Sequence, residues 1–229
     1  MKGVVSMKKT ILLILLLSLV GIGFARSLDS LEGAIELVRL KYGGGGDWYE
    51  GPSSLPNLAR FVSENTPVPI FHRGRFVEPM SSDLYSYPFL YMTGHGNINF
   101  SDEEAARLRR YFENGGFLLA NDSYGMDQAF RREIKKVLPD SDLVELPFDH
   151  EIFHIYYSFP GGLPKIHEHD GKPPQGFAIF HEERMVVFYV YESDIGDGWE
   201  DEEVHNNPPE KREQALRMGA NIIIYALTN

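Results

Sequence analysis

The chain has 229 residues, 22 basic against 33 acidic, a formal net charge of −11 and no cysteine. The missing cysteine excludes disulfides, thiolate metal sites and a cysteine nucleophile. The acidic balance argues against nucleic acid or an anionic membrane as the main partner, because both need a basic face.

Residues 1–25 read as a secretory signal peptide, with an uncleaved anchor as the alternative. Lys8-Lys9 precede an apolar run from Ile11 to Val20, and Gly23 and Ala25 supply a small-x-small cleavage site. The run is shorter than the roughly 20 apolar residues of a membrane span. The mature chain, residues 26–229, is therefore expected to be exported, periplasmic or secreted, as a single domain with no span. Cleavage would remove Lys2, Lys8 and Lys9 and no acid, taking the net charge from −11 to −14.

Ala34–Leu40 alternates apolar and polar residues and predicts a strand, which runs into the glycine-rich block Tyr42–Tyr49. A helix is expected from about Leu55, with Ser53 or Ser54 as cap and Pro56 in its first turn. Val68–Phe71 and Phe76–Val77 read as short extended pieces broken by Pro67 and Pro69. Pro88–Thr93 is nearly all apolar, as expected of a strand covered on both faces. Ser101-Asp102-Glu103-Glu104 is a capping box opening a helix that ends at Gly115-Gly116. Phe117–Ala120 is a second buried strand, a helix follows up to Pro139, and Asp142–Leu146 is a further strand candidate. Residues 147–176 form a long proline- and glycine-rich excursion carrying His150, His154, His167 and His169. Phe177–His181 and Met185–Tyr191 pair as a hairpin, Ser193–Glu203 is an acidic loop, and Pro208–Leu227 is a closing helix. Strands alternating with helices imply a mostly parallel α/β sheet covered on both faces. Ligands of such sheets bind beyond the carboxyl ends of the strands. Gly43–Tyr49, Gly94–Asn97 and Asn121–Gly125 all fall at such ends.

Four blocks, Tyr42–Tyr49 (YGGGGDWY), Tyr111–Gly125 (YFENGGFLLANDSYG), Asp149–His154 (DHEIFH) and Asp194–Glu200 (DIGDGWE), resemble a bacterial family known as domain of unknown function 4159. The resemblance runs from about Leu37 to the C-terminus. It implies a class I glutamine-amidotransferase-like fold, a flavodoxin-like three-layer sandwich, and no particular activity. Where the family's second block often reads Asp-Asp, this chain has Asn121-Asp122. The amidotransferase cysteine belongs on the turn after the central strand, here Asp122-Ser123-Tyr124, so the usual glutaminase chemistry is excluded.

Several residues are candidates for a site. His150 and His154 are four apart and share a face on either a helix or a strand. With Asp122 and Asp194 they form a His/carboxylate set of the kind that holds Zn²⁺ or Fe²⁺, and Asp122, His150 and His154 are the candidate catalytic residues. The bland reading makes both histidines structural, bonded to loop backbone. Ser123 admits a nucleophilic role, against helix capping as the plainer one. Asp47, Trp48, His95, Ser123, Asp194 and Trp199 are the candidate ligand-binding residues. Trp48 and Trp199 suit a carbohydrate or peptide, or else simply seal the sheet. His167-Glu168-His169-Asp170 reads as a solvated loop. No cofactor motif is complete, and a divalent metal is the cofactor these residue types admit. The favoured expectation is an exported binding or assembly module of the cell envelope lacking the cysteine nucleophile. The alternatives are a metal-dependent or His/Asp hydrolase of an envelope carbohydrate or peptide, and a structural partner in an envelope complex. Convergence of Asp122, His150, His154 and Asp194 would favour the hydrolase, and scattering the binding module or the structural partner.

Overall fold

The computed structural model describes residues 33–229; the signal-peptide expectation for residues 1–25 lies outside them. The alternating run becomes strand β1 (Ile35–Leu40), followed by helix α1 (Ser54–Asn65). The two expected extended pieces are one strand, β2 (Ile70–Val77). Pro67 and Pro69 precede it and so remove no ladder donor; the Pro69 carbonyl instead accepts from the Ile35 amide at 3.1 Å. Then come β3 (Phe89–Met92), α2 (Asp102–Glu113), β4 (Phe117–Asn121) and α3 (Asp127–Val137). β5 is reduced to Val144–Glu145, and β6 (Gln175–His181) and β7 (Arg184–Tyr191) form the hairpin. A one-turn helix α4 (Glu202–His205) leads into α5 (Pro209–Thr228).

The seven strands form one sheet in the order β2-β1-β3-β4-β7-β6-β5. β2, β1, β3, β4 and β7 are parallel, while β6 runs antiparallel to β7 and β5 antiparallel to β6. Because successive strand residues point to opposite faces, adjacent residues serve different cores. Leu37, Phe89, Leu119 and Phe188 pack with α1 and α5. Val38, Leu90, Leu118 and Val187 pack with α2 and α3. Helices thus cover both faces of a mostly parallel α/β sheet, an arrangement compatible with a three-layer sandwich. None of the described helices is long and apolar enough to cross a membrane.

The capping box forms in both directions: Ser101 Oγ accepts from the Glu104 amide at 3.1 Å, and Glu104 Oε2 from the Ser101 amide at 2.8 Å. Ser101→Ala should cost about 1 kcal/mol, measurable as a lower urea midpoint at unchanged slope. At α1 the expected serine cap takes another form. Ser53 donates its hydroxyl to Glu200 Oε2 at 2.6 Å, and Glu200 Oε1 takes the Ser54 amide at 3.1 Å. A carboxylate from far along the chain thus occupies the positive end of α1. The acidic loop after β7 is consequently buried, with Ser193, Asp194, Ile195, Trp199 and Glu200 all inaccessible.

Candidate functional site

Strands β1, β3, β4 and β7 end side by side, and the loops that follow them meet in one crevice. Tyr42 donates its hydroxyl to the Thr93 carbonyl at 3.0 Å, drawing the first loop over β3. That approach needs Gly94, which holds φ 135° and whose missing Cβ would strike Tyr42 and Asp47. Thr93 and Ser123 share a 2.7 Å hydroxyl contact, and Ser123 donates to Glu50 Oε2 at 3.0 Å. Asn121 donates to Asp194 Oδ1 at 2.9 Å, and its own oxygen accepts from the Gly196 amide. Burial, reinforced by the charges of Asp197 and Asp194, pushes the Glu50 carboxyl up to about 7, against a smaller downward pull from Ser123.

The long excursion returns to this edge. The amides of Ile166 and His167 both donate to the Ser193 carbonyl, at 3.0 and 3.2 Å, and Lys165 pairs with buried Glu192 at 3.1 Å. His167 and His169 are thereby set over two buried aspartates. His167 Nδ1 lies 2.7 Å from Asp197 Oδ2 and 3.9 Å from Asp194 Oδ2, and His169 Nε2 lies 3.2 Å from Asp194 Oδ2. From α4, His205 Nε2 lies 3.3 Å from Asp197 Oδ1. That nitrogen is buried and has no hydrogen-bond partner. The Asp197 hydrogen bond raises the His167 pKa against the opposing effect of burial. Burial alone would lower His169, but the hydrogen bond and charge of Asp194 outweigh it, and its pKa is raised. Burial raises the Asp197 carboxyl despite His167.

This set differs from the one expected. Asp194 is in it, whereas His150 and His154 are not. His150 caps a short 3₁₀ turn (Glu151–Phe153), its Nδ1 accepting from the Ile152 amide at 3.2 Å, and its ring lies 5.5 Å from that of Tyr225. Burial lowers its pKa. His154 Nε2 sits 2.8 Å from the Phe148 carbonyl. Both histidines are held by nearby backbone, and neither belongs to a converging group of ligand atoms among the described residues. Asp122 is buried at the β4 end but serves the turn into α3, accepting from the Tyr124 and Met126 amides at 3.1 Å each. It also lines a cleft of about 390 Å³ with Tyr124, His169, Lys172 and Tyr191. Asp47 and His95 pair with each other, Oδ2 to Nδ1 at 3.0 Å. The His95 amide and ring hold the Asp47 carboxyl below its ordinary range against the effect of burial. Trp48 is partly buried against the core, its ring beside those of Phe76 and Tyr49. Trp199 is fully buried core.

Sequence reasoning missed Glu50 and His205, and placed His167 and His169 in solvent. For the last two a signal was present. Spaced two apart, they share a face of an extended chain, by the same argument applied to His150 and His154. His205, within an acidic run, carried none.

The model of the family described as a domain of unknown function (DUF4159) matches residues 36–227. The chain belongs to this family. The DUF4159 match spans the whole crevice, from Tyr42 in the first loop to His205 in α4. A comparison with curated proteins gave no match.

Proposed function

We propose that this DUF4159 chain is an exported, amidotransferase-like domain that holds a divalent transition metal in its crevice and hydrolyses an envelope carbohydrate or peptide. The reading is carried by the convergence of three imidazoles and two buried carboxylates from three separate chain segments. With metal–ligand bonds near 2.0–2.1 Å, tetrahedral zinc ligands stand about 3.3 Å apart. The contacts here, 2.7 to 3.9 Å, bracket that spacing. The unpartnered buried nitrogen of His205 also fits a ligand's role. His167, Asp197 and His205 would hold the ion, or His167, His169 and Asp194, with His167 common to both groups. Imidazole with carboxylate suits zinc and its neighbours better than magnesium or calcium.

A bound ion of this class supplies Lewis-acid polarisation of the scissile group. The protein's own share lies in two devices. Asn121 fixes the Asp194 carboxylate by its 2.9 Å hydrogen bond, and such outer contacts orient metal ligands. Glu50, its carboxyl near 7 and steadied by Ser123, is poised to take a proton from water and return it to a leaving group. The parallel order β2-β1-β3-β4-β7 supports the flavodoxin-like reading of the fold, with the site beyond the carboxyl ends of the strands. Export rests on the leader-like residues 1–25. A binding or assembly module is the second reading, favoured because Ser123 is already satisfied by Thr93 and Glu50.

Titration of the metal-stripped chain with Co²⁺ or Zn²⁺ tests the proposal. One equivalent is expected, with the intense visible bands of tetrahedral Co²⁺. His167→Ala should weaken binding by more than about 100-fold, since even outer partners of metal ligands are worth 10–100-fold. Glu50→Gln should still take up one equivalent of metal, somewhat more weakly than wild type at pH 8, yet lose hydrolysis of chromogenic glycoside or peptide substrates. Absence of stoichiometric binding would overturn the metal reading, and binding without hydrolysis would leave the binding module.

A further inference from the structure

We infer that the groove between the loop of residues 48–52 and the edge strand β2 is a binding site for a short oligosaccharide carrying a hexuronate. The observation behind it is an exposed aromatic cluster bordered by cations on an otherwise acidic chain. Trp48 lies between Phe76, at 5.1 Å and tilted by 54°, and Tyr49, at 5.6 Å and edge-on. Tyr49 is 64% exposed and Phe76 53%. Together with Pro52, Gly74 and Arg75 they line a groove of about 160 Å³. Behind it Arg39 donates to the carbonyls of Trp48, Glu50 and Gly51 and to Ser54 Oγ, which fixes the loop and with it the aromatic rings. The surface is thus built in advance and loses little freedom when it binds.

Its arginines keep free donors, while its lysine is already paired. Arg75 is half-exposed; its Nε lies 3.3 Å from Glu36 Oε1, but that oxygen has no hydrogen-bond partner. Arg73 stacks over Phe71 at 4.7 Å, and the Lys41 ammonium, paired with Glu78 Oε1 at 2.6 Å, lies over the rings of Trp48 and Phe76 at 5.6 and 5.3 Å. A planar guanidinium with free donors recognises a carboxylate in bidentate fashion. Rigid aromatic faces take the apolar C–H face of a sugar ring while its hydroxyls stay wet.

Two features select this ligand over its competitors. An extended peptide would add to the free edge of β2, but the ladder there is broken. Glu36 and Val38 of β1 pair with Phe71 and Arg75 of β2, so the strand bulges at His72–Gly74, and bulged edges resist strand addition. A long polyanion such as nucleic acid would meet the repulsion of a chain of net charge −11. A short oligosaccharide with its carboxylate at one ring satisfies both constraints.

Tryptophan fluorescence tests the site directly. The chain has two tryptophans, and Trp199 is fully buried, so a ligand-induced change reports on Trp48. Titration of the whole chain with a trisaccharide carrying a single glucuronate should give a saturable change. The carboxyl-reduced neutral trisaccharide, and Arg75→Gln with the acidic one, should each bind about tenfold more weakly. Phe76→Ala should abolish the change while keeping the wild-type urea midpoint, and His167→Ala should leave it intact. No saturable change, or equal affinity for the neutral sugar, would overturn the inference. So would tighter binding of an oligoglutamate peptide. These outcomes do not depend on metal binding in the crevice.

Discussion

Trp199→Ala is expected to lower the unfolding free energy by about 3–5 kcal/mol, the usual cost of truncating a buried large aromatic. That is a large share of the 5–15 kcal/mol that holds a typical domain together. The indole has no solvent-facing atom to offer a ligand. One side packs on Tyr91, with ring centroids 5.5 Å apart, and Nε1 donates to the Ala215 carbonyl in α5 at 2.8 Å. Helix α5 approaches closely because position 219 is glycine: a Cβ there would sit 3.0 Å from the indole and collide with Leu58. Truncation would therefore leave a cavity between α1, α5 and the sheet that rigid neighbours cannot collapse. Trp199→Phe keeps most of the volume and loses one buried hydrogen bond, so it should cost about 1–2 kcal/mol. Urea unfolding of the three proteins at a common slope measures both values. A loss below 1 kcal/mol for the alanine variant would mean that Trp199 contributes a surface rather than core.

What was legible in this chain follows the range of the interactions. The apolar runs of β3 and β4, the capping box at Ser101 and the glycines ending α2 are local signals, and each sits where its residues predict. The parallel neighbours β1, β3 and β4 follow from alternation of strand and helix. Burial of the loop after β7 had no local signal. Its aspartates and glutamate look solvated until Glu200 meets the start of α1 some 146 residues away. The two histidine pairs make the same point about the site. His150/His154 and His167/His169 both satisfy an even-spacing rule, and spacing alone cannot rank them. The 3₁₀ turn at Glu151 ties the first pair to its own backbone, while the Ser193 carbonyl anchors the second over Asp194 and Asp197. Long-range hydrogen bonds decided which histidines reach the crevice.

Glu50→Gln is expected to make the metal-free protein more stable at pH 8, by about 2–3 kcal/mol, even as it removes the proposed proton acceptor. The Glu50 carboxyl titrates near 7 in the folded chain against an ordinary value of 4.5. Between those values the folded protein keeps a proton that the unfolded chain has released. Stability therefore falls as pH rises from about 4.5 to 7: the group's favourable contribution is complete below 4.5 and gone above 7. Each tenfold change in proton affinity is worth about 1.4 kcal/mol, and partial access to water trims the total. Glutamine carries no charge at any pH and still accepts the Ser123 hydroxyl, so the difference between the two proteins should vanish near pH 4 and reach its full size at pH 8. Taking that difference cancels the titrations both proteins share, apart from the coupling of Asp197 to the Glu50 charge. Thermal or urea unfolding in chelator at pH 4, 6 and 8 provides the measurement. Equal stability at pH 8 would show that the buried charge is well accommodated and that Glu50 is no poised base. A second arm connects the carboxylate to the ligand cluster. The charges of Asp194 and Asp197 help to push Glu50 upward, and a divalent ion held by those residues would offset them. Adding Zn²⁺ should then shrink the advantage of Glu50→Gln at pH 8. A group that costs stability when the crevice is metal-free, and costs less once the ion arrives, is placed for chemistry rather than for packing.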